Sequence, residues 1–150
     1  MRLGRVTRFA FAFLVFLTVL VTPCLAHHIA VVVDKDNKTP NITSAHLARI
    51  FKGETKKWPD GRNVVVVLRE TPDEISTLAR LTKMKDSEVK AMLEERKDVI
   101  IRKASDAEVI DAVASTQGAI GMVEEHSISG RVNVMKVDGK LPLEAGYLPH

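Results

Sequence analysis

The sequence predicts an α/β fold in which strands alternate with helices around a mainly parallel sheet. Residues 64–68 are five consecutive apolar residues, a run typical of a strand buried on both faces of a parallel sheet. Two helix-start signals, Thr71-Pro72-Asp73-Glu74 and Ser105-Asp106-Ala107-Glu108, follow apolar runs, and both have the pattern of a capping box. Strands that alternate with helices in this way indicate an α/β fold.

Residues 1–26 have the pattern of a signal peptide. Arg2, Arg5 and Arg8 form a positive region, and Phe9 to Val21 is an apolar run followed by small residues. A membrane anchor is the alternative, but the run is short for a span, which needs about 20 residues. We therefore expect a periplasmic or secreted protein that meets the membrane only through this segment, before its cleavage.

The charge of the chain depends on this segment. The whole chain of 150 residues has 22 Lys and Arg against 19 Asp and Glu, and removing Arg2, Arg5 and Arg8 leaves 19 of each. A neutral mature domain argues against nucleic-acid binding, because such domains usually carry a basic surface. Cys24 is the only cysteine and lies in the same segment, so a packed core and not a disulfide must stabilise the mature protein.

Residues 27–140 read as one domain, and residues 141–150 as a C-terminal tail that we expect to be poorly ordered. The first strand is predicted at His28–Val33, before a polar turn over residues 34–41. A helix over Ser44–Lys52 is then capped by Thr43 and stopped by Gly53. The later expected elements are a strand at 64–68, a helix from Pro72, a helix capped by Asp86, a strand at 99–101, a helix after Ser105, a strand through 119–123 and a final strand at 131–137.

Several of these residues resemble motifs of a known family. The segments are Ile50-Phe51-Lys52-Gly53 with Trp58-Pro59-Asp60-Gly61, the valine-rich strand that ends in Arg69, and Gly118-Ala119-Ile120-Gly121-Met122-Val123. They resemble the phosphate-binding proteins of ABC transporters, which are type 2 periplasmic binding proteins. The resemblance implies a three-layer sandwich of a mixed, mainly parallel sheet with helices on both faces, as in one lobe of such a protein.

The same resemblance implies a ligand site. Phosphate or another small anion would lie at the helix N-terminus after Arg69, with Thr71 supplying a hydroxyl and the backbone of Gly118, Ala119 and Gly121 lining the cleft. A helix N-terminus attracts anions, and arginine presents a fork of donors to them. The Ser-Gly-Thr type turn of the family is replaced here by Glu-Thr-Pro, and Glu74 would complete a capping box that competes with an anion.

Other interpretations stay open at this stage. A one-lobe domain exposes the face that a second lobe would cover, so the chain could be an interaction module that forms a homodimer or binds an envelope protein. For a solute-binding protein, the resemblance implies an ABC permease as the partner. His27, as the mature N-terminus, could chelate copper with His28, although no histidine has recognisable ligand spacing. Trp58 is either a recognition element or, as we favour, an anchor for its loop. No cofactor, metal ligand set or catalytic pattern is evident, and we expect a non-enzymatic protein.

Overall fold

The computed structural model describes residues 28–149. The predicted signal peptide and His27 lie outside these residues. The strands and helices, in chain order, are β1 Ile29–Val33, β2 Asn41–Ile42, α1 Ser44–Phe51, β3 Val65–Leu68, α2 Pro72–Thr82, α3 Asp86–Glu95, β4 Ile100–Arg102, α4 Asp106–Ser115, β5 Ala119–Glu124, β6 Asn133–Val134 and β7 Lys136–Val137.

The main sheet of the described chain has the strand order β4-β3-β5-β1-β6. β3 is parallel to both of its neighbours, with Val66 opposite Ile100 on one side and Ile120 on the other. β1 is antiparallel to β5 and β6, and β2 and β7 form a separate parallel pair. The sheet therefore has a carboxyl edge, where β3, β4 and β5 end, and an amino edge, where they begin.

Helices cover both faces of the main sheet. On one face, alternate strand residues such as Val31, Leu68 and Met122 share a core with α1, α2 and α3. On the other face, Val32 and Val67 pack with the buried side of α4. This three-layer arrangement confirms the α/β sandwich expected from the sequence, because period-two alternation along each strand supplies an apolar residue to both faces in turn.

Local signals correctly predicted where α1, α2 and α4 begin and where α1 ends. Thr43, Thr71 and Ser105 are N-caps whose hydroxyls each accept a hydrogen bond from a backbone N–H of the first turn. Gly53 follows α1 with φ of 78°, a conformation that glycine adopts without steric cost. Asp86 differs from the prediction, because it is the first residue of α3 and Lys85 is the cap.

Three other segments differ from the prediction. The polar turn expected over residues 34–41 ends in β2, since buried Ile42 draws it against β7. The single final strand is two short ones that separate at Met135, a fully buried residue whose N–H donates to Val31 O at 2.9 Å. One strand therefore joins the main sheet and the other pairs with β2.

The C-terminal tail is packed on the domain, which corrects the expectation that it is poorly ordered. Tyr147 and Leu148 are both buried. The Tyr147 hydroxyl accepts from Val31 N at 3.1 Å and donates to Met135 O at 2.7 Å. These apolar residues anchor the segment in spite of its prolines, because burying them removes aromatic and aliphatic surface from water.

Candidate functional site

The first part of the site is the turn between β3 and α2. Arg69 follows the last residue of β3, and Glu70 has a left-handed φ of 59°. Thr71 is the N-cap of α2, and its hydroxyl accepts from Glu74 N at 3.3 Å. Pro72 at the first helical position has no N–H to offer. The N-terminus of α2 therefore has fewer free donors than an ordinary helix.

The carboxylate of Glu74 takes up further donors of this turn. Glu74 is almost completely buried, and its Oε2 accepts from Arg69 N at 3.0 Å and from Glu70 N at 2.8 Å. Burial raises the pKa of Glu74 to about 7, against the opposing effect of these hydrogen bonds. The side chain thus occupies the place where a ligand anion would meet two backbone N–H groups.

The guanidinium of Arg69 pairs with the first residue of α4. Leu68 belongs to the core under α1, α2 and α3, and the next side chain along a strand points to the opposite face. Arg69 Nη1 donates to Asp106 Oδ1 and lies 4.0 Å from Glu124 Oε1. The hydrogen bond to Asp106 is the main cause that raises the pKa of Arg69. Arg69 Nε is buried and has no hydrogen-bond partner within the described residues.

Asp106 and Glu124 belong to this site although the sequence interpretation missed them. Asp106 Oδ2 accepts from Glu124 N at 3.1 Å. Burial would raise the pKa of Asp106, but hydrogen bonds from Ser127, Arg69 and the Glu124 N–H outweigh it, and the pKa lies below its ordinary value. Asp106 is therefore an ionised counter-ion for Arg69. Asp106 opens the helix after β4 and Glu124 ends β5, so the shared carboxyl edge of these strands was the available signal.

We call this set of residues the Arg69 cluster, which comprises Arg69, Glu70, Thr71, Glu74, Asp106 and Glu124. Glu70 pairs with Arg102 of β4 at 2.6 Å, so a second arginine is also held by a carboxylate at this edge. With four carboxyl groups and one guanidinium group, the cluster is acidic even though Arg102 offsets the charge of Glu70. It can offer an incoming anion the remaining donors of Arg69, but it also repels that anion.

The predicted glycine lining lies elsewhere in the sheet. Val65 is opposite Ala119 in the parallel register, so Gly118 and Ala119 stand at the amino edge while Arg69 stands at the carboxyl edge. Gly121 is opposite Val67 in the middle of the sheet, and a Cβ there would lie 2.9 Å from Val109 Cγ1. The structure therefore brings Arg69 and Thr71 together, and it does not bring the three 118–121 residues to them.

The amino-edge glycine instead receives the tryptophan loop. Trp58 is 3% exposed, and its Nε1 donates to Gly118 O at 2.8 Å. Asp34 accepts from Gly118 N at 3.0 Å through Oδ2 and from Arg62 Nη1 at 3.2 Å through Oδ1. The interpretation of Trp58 as a loop anchor is confirmed. The Trp58 segment and the Gly118 segment, which belong to two of the sequence motifs, are held together by the hydrogen bond between them.

Residues 28–149 have neither a cluster of metal ligands nor a helix suited to span a membrane. This part of the chain contains no group of three or more His, Cys, Asp or Glu side chains arranged to hold a metal ion. None of its helices combines the length and hydropathy that crossing a membrane requires. The copper hypothesis rests on His27, outside the described residues, and stays a prediction.

Solved structures that resemble this fold include proteins described as phosphate receptors or phosphate-transporter binding proteins. An ABC-type phosphate transport receptor from Vibrio cholerae is 18% identical with a TM-score of 0.61, and it matches over 77% of this chain and 48% of its own. PstS from Borrelia burgdorferi is 21% identical with a TM-score of 0.61, over 77% and 49%. A Clostridium perfringens substrate-binding protein solved with bound phosphate is 21% identical with a TM-score of 0.59, over 77% and 46%.

These likenesses define the fold and its extent. The chain spans about half the length of these structural relatives. No curated protein matches the chain significantly. The family model described as "PBP superfamily domain" matches residues 19–132, which is well over half of the chain. The chain therefore belongs to the PBP superfamily domain family.

Proposed function

We propose that this protein is a solute-binding-like protein of the cell envelope that holds a small oxyanion, phosphate or a close analogue, on Arg69. The observation that carries the proposal is the Nε of Arg69, a buried donor without a hydrogen-bond partner in the described chain, at the carboxyl edge of the sheet. Ligands of open α/β sheets bind at that edge. The phosphate-binding names of the structural relatives and the signal-peptide pattern support the solute class and the location.

The mode of binding differs from a helix N-terminal site. Glu74 already accepts from Arg69 N and Glu70 N, and the Thr71 hydroxyl accepts from Glu74 N. The anion would therefore rely on the guanidinium of Arg69 and compete with Asp106 for it. Because a like-charged carboxylate stands beside the ligand, we expect weak, salt-sensitive binding. No catalytic step is needed for this role, and an ABC permease is the partner that it implies.

Phosphate-dependent thermal stabilisation tests the proposal. The melting temperature is measured in phosphate and in sodium chloride of equal ionic strength. We expect phosphate to raise the melting temperature of the parent protein. Arg69→Ala should abolish this rise, and Asp106→Asn should enlarge it, because the asparagine releases the guanidinium. Arg102→Ala is the matched control, since Arg102 is also paired with carboxylates at this edge but is not part of the proposed site. If phosphate raises the melting temperature of neither the parent protein nor the Asp106→Asn variant, the proposal is overturned.

An interaction module is the second candidate. The donors at the start of α2 are taken by the chain itself, and the chain spans only about half the length of its structural relatives. Both observations favour a lobe that contacts another protein in place of a ligand. Light scattering of the purified protein, with and without phosphate, tests this candidate. It predicts a dimer or larger complex whose mass does not respond to phosphate, whereas a monomer stabilised by phosphate contradicts it.

A further inference from the structure

A cleft of about 550 Å³ opens at the amino edge of the sheet, away from the Arg69 cluster. It lies between the end of α1 and the segments that lead into β3 and β4. Its walls include Lys52, Thr55, Lys56, Val64, Arg96 and Val99. We call it the amino-edge cleft. Its volume is within the range of small-molecule sites, roughly 300–1,000 Å³, and no carboxylate is among the described residues that line it.

Arg96 supplies a charge without a counter-ion to this cleft. It is the C-cap residue of α3, its Nη1 donates to Phe51 O, and its guanidinium lies against Gly53. In the part of the chain that the structure describes, no carboxylate lies within ion-pair distance of Arg96. Burial lowers its pKa, yet a guanidinium stays protonated in proteins. A partly buried cation with unused donors favours an anionic partner from outside the described fold.

Two residues that are adjacent in the chain add further polar groups to the lining of the cleft. Thr55 Oγ1 is buried and has no hydrogen-bond partner among residues 28–149. The next residue, Lys56, is exposed and makes no ion pair within the described chain. Lys52 is different, because it is already paired with Glu54 at 2.6 Å. The free positive charge of the cleft therefore comes from Arg96 and Lys56, and the Thr55 hydroxyl is available as a further donor or acceptor.

The rest of the cleft is apolar. Ile50, Val64 and Val66 contribute to its lining. Val99 also lines it and is 64% exposed, one of few large apolar side chains so exposed in the described chain. An inorganic anion would leave this apolar wall in water. A ligand with an apolar body would cover it and would gain the hydrophobic contribution of the buried area.

We propose that the amino-edge cleft binds an aliphatic monocarboxylate, with its carboxylate on Arg96 and Lys56 and its chain along Val64 and Val99. The planar fork of an arginine matches the two oxygens of a carboxylate. This site is separate from the oxyanion site on Arg69 and does not depend on it. It assigns the protein a second ligand class, which is an amphiphilic organic acid.

Titration with octanoate tests this inference, with octanol as the neutral probe of equal chain length and inorganic phosphate as the anion without a chain. Binding is followed by amide shifts of the purified protein in solution nuclear magnetic resonance. Arg96→Met and Lys56→Met each remove one charge, and Val99→Asp places a carboxylate at the exposed mouth. Lys57→Met is the matched control, because Lys57 is an exposed neighbour that does not line the cleft.

We expect octanoate to shift residues of the cleft and to bind more tightly than octanol or phosphate. Removal of a charged hydrogen bond at Arg96 should weaken it by about tenfold or more, with a smaller loss in Lys56→Met and no change in Lys57→Met. If Arg96→Met fails to fold, Val99→Asp carries the test, since its side chain is exposed. Absence of octanoate shifts in the cleft, equal binding of octanol, or unchanged affinity in Val99→Asp would overturn the inference.

Discussion

The indole N–H of Trp58 donates a buried hydrogen bond to the carbonyl of Gly118, with 2.8 Å between Nε1 and O. This hydrogen bond joins two loops that lie 60 residues apart in the chain. The same Gly118 carbonyl also accepts from Val65 N at 3.1 Å, at the start of β3. Two of the motifs that suggested a ligand-binding lobe, the Trp58 loop and the Gly118 turn, therefore stabilise the amino edge of the sheet, whereas the Arg69 cluster lies at the other edge.

Replacement of Trp58 by phenylalanine should destabilise the fold without affecting anion binding. The variant keeps an aromatic ring and leaves the Gly118 carbonyl with the Val65 N–H as its remaining donor. The free energy of unfolding should therefore fall by roughly 0.5–1.5 kcal/mol, the net contribution of one hydrogen bond. Urea denaturation measures this change, and phosphate titration provides the control. An unchanged urea midpoint would show that the hydrogen bond does not matter to stability.

Replacement of Gly118 by alanine should cost more than replacement of Gly61. Both glycines have positive φ, 80° and 87°, which costs alanine roughly 1–2 kcal/mol. A Cβ on Gly118 would also lie 2.0 Å from Asn63 O, whereas a Cβ on Gly61 meets nothing within 4 Å. We expect Gly61→Ala to lower the free energy of unfolding only by the cost of the positive φ. Gly118→Ala should lower it by about 1–3 kcal/mol more, because of the steric clash. Equal losses in urea denaturation would contradict the steric part of this expectation.

The sequence was most informative where the chemistry is local. The cap at Thr71, the proline after it and the stop at Gly53 depend on residues within one turn, so their patterns predicted α1 and α2 correctly. The five apolar residues before Arg69 likewise predicted a strand buried on both faces. These features need no knowledge of which strands are neighbours.

The site was harder to predict because it depends on strand order. Asp106 pairs with Arg69 although 37 residues separate them, and only the parallel arrangement of β4, β3 and β5 brings the two together. Gly118 was placed beside Arg69 in the prediction because both belong to family motifs. The prediction was wrong because Gly118 precedes β5 whereas Arg69 follows β3. These strands are parallel, so the two residues lie at opposite edges of the sheet. Tyr147 could be found only by its distant partners on β1 and near β6.

The pH dependence of stability should report on Glu74. Its pKa is about 7 in the folded protein against an ordinary value of 4.5, so the folded state holds a proton that the unfolded state has lost between these values. The free energy of unfolding should therefore fall as pH rises through this window, by up to about 3 kcal/mol. The glutamine of Glu74→Gln cannot ionise and keeps an oxygen acceptor. The stability of this variant relative to the parent protein should therefore be greater at pH 8 than at pH 4.5.

The control for this prediction is Glu108→Gln. Glu108 also accepts from a backbone N–H, that of Ala104 at 2.9 Å, but it is exposed at the start of α4. Urea denaturation of all three proteins at about pH 4.5 and pH 8 gives the comparison. A Glu74→Gln variant whose difference from the parent protein is the same at both pH values would show that buried Glu74 does not titrate in this window.

Replacement of Tyr147 by phenylalanine should show that the C-terminal segment stabilises the domain. The hydroxyl accepts from Val31 N and donates to Met135 O in the core, and its burial raises the pKa of Tyr147 to about 12. The phenylalanine variant keeps the ring and leaves both backbone groups without this partner, so the free energy of unfolding should fall by roughly 1–3 kcal/mol. Leu143→Ala is the control, because Leu143 is 64% exposed and should change stability by less than about 0.5 kcal/mol. If both variants unfold at the urea midpoint of the parent protein, the tail does not contribute to the stability of the core.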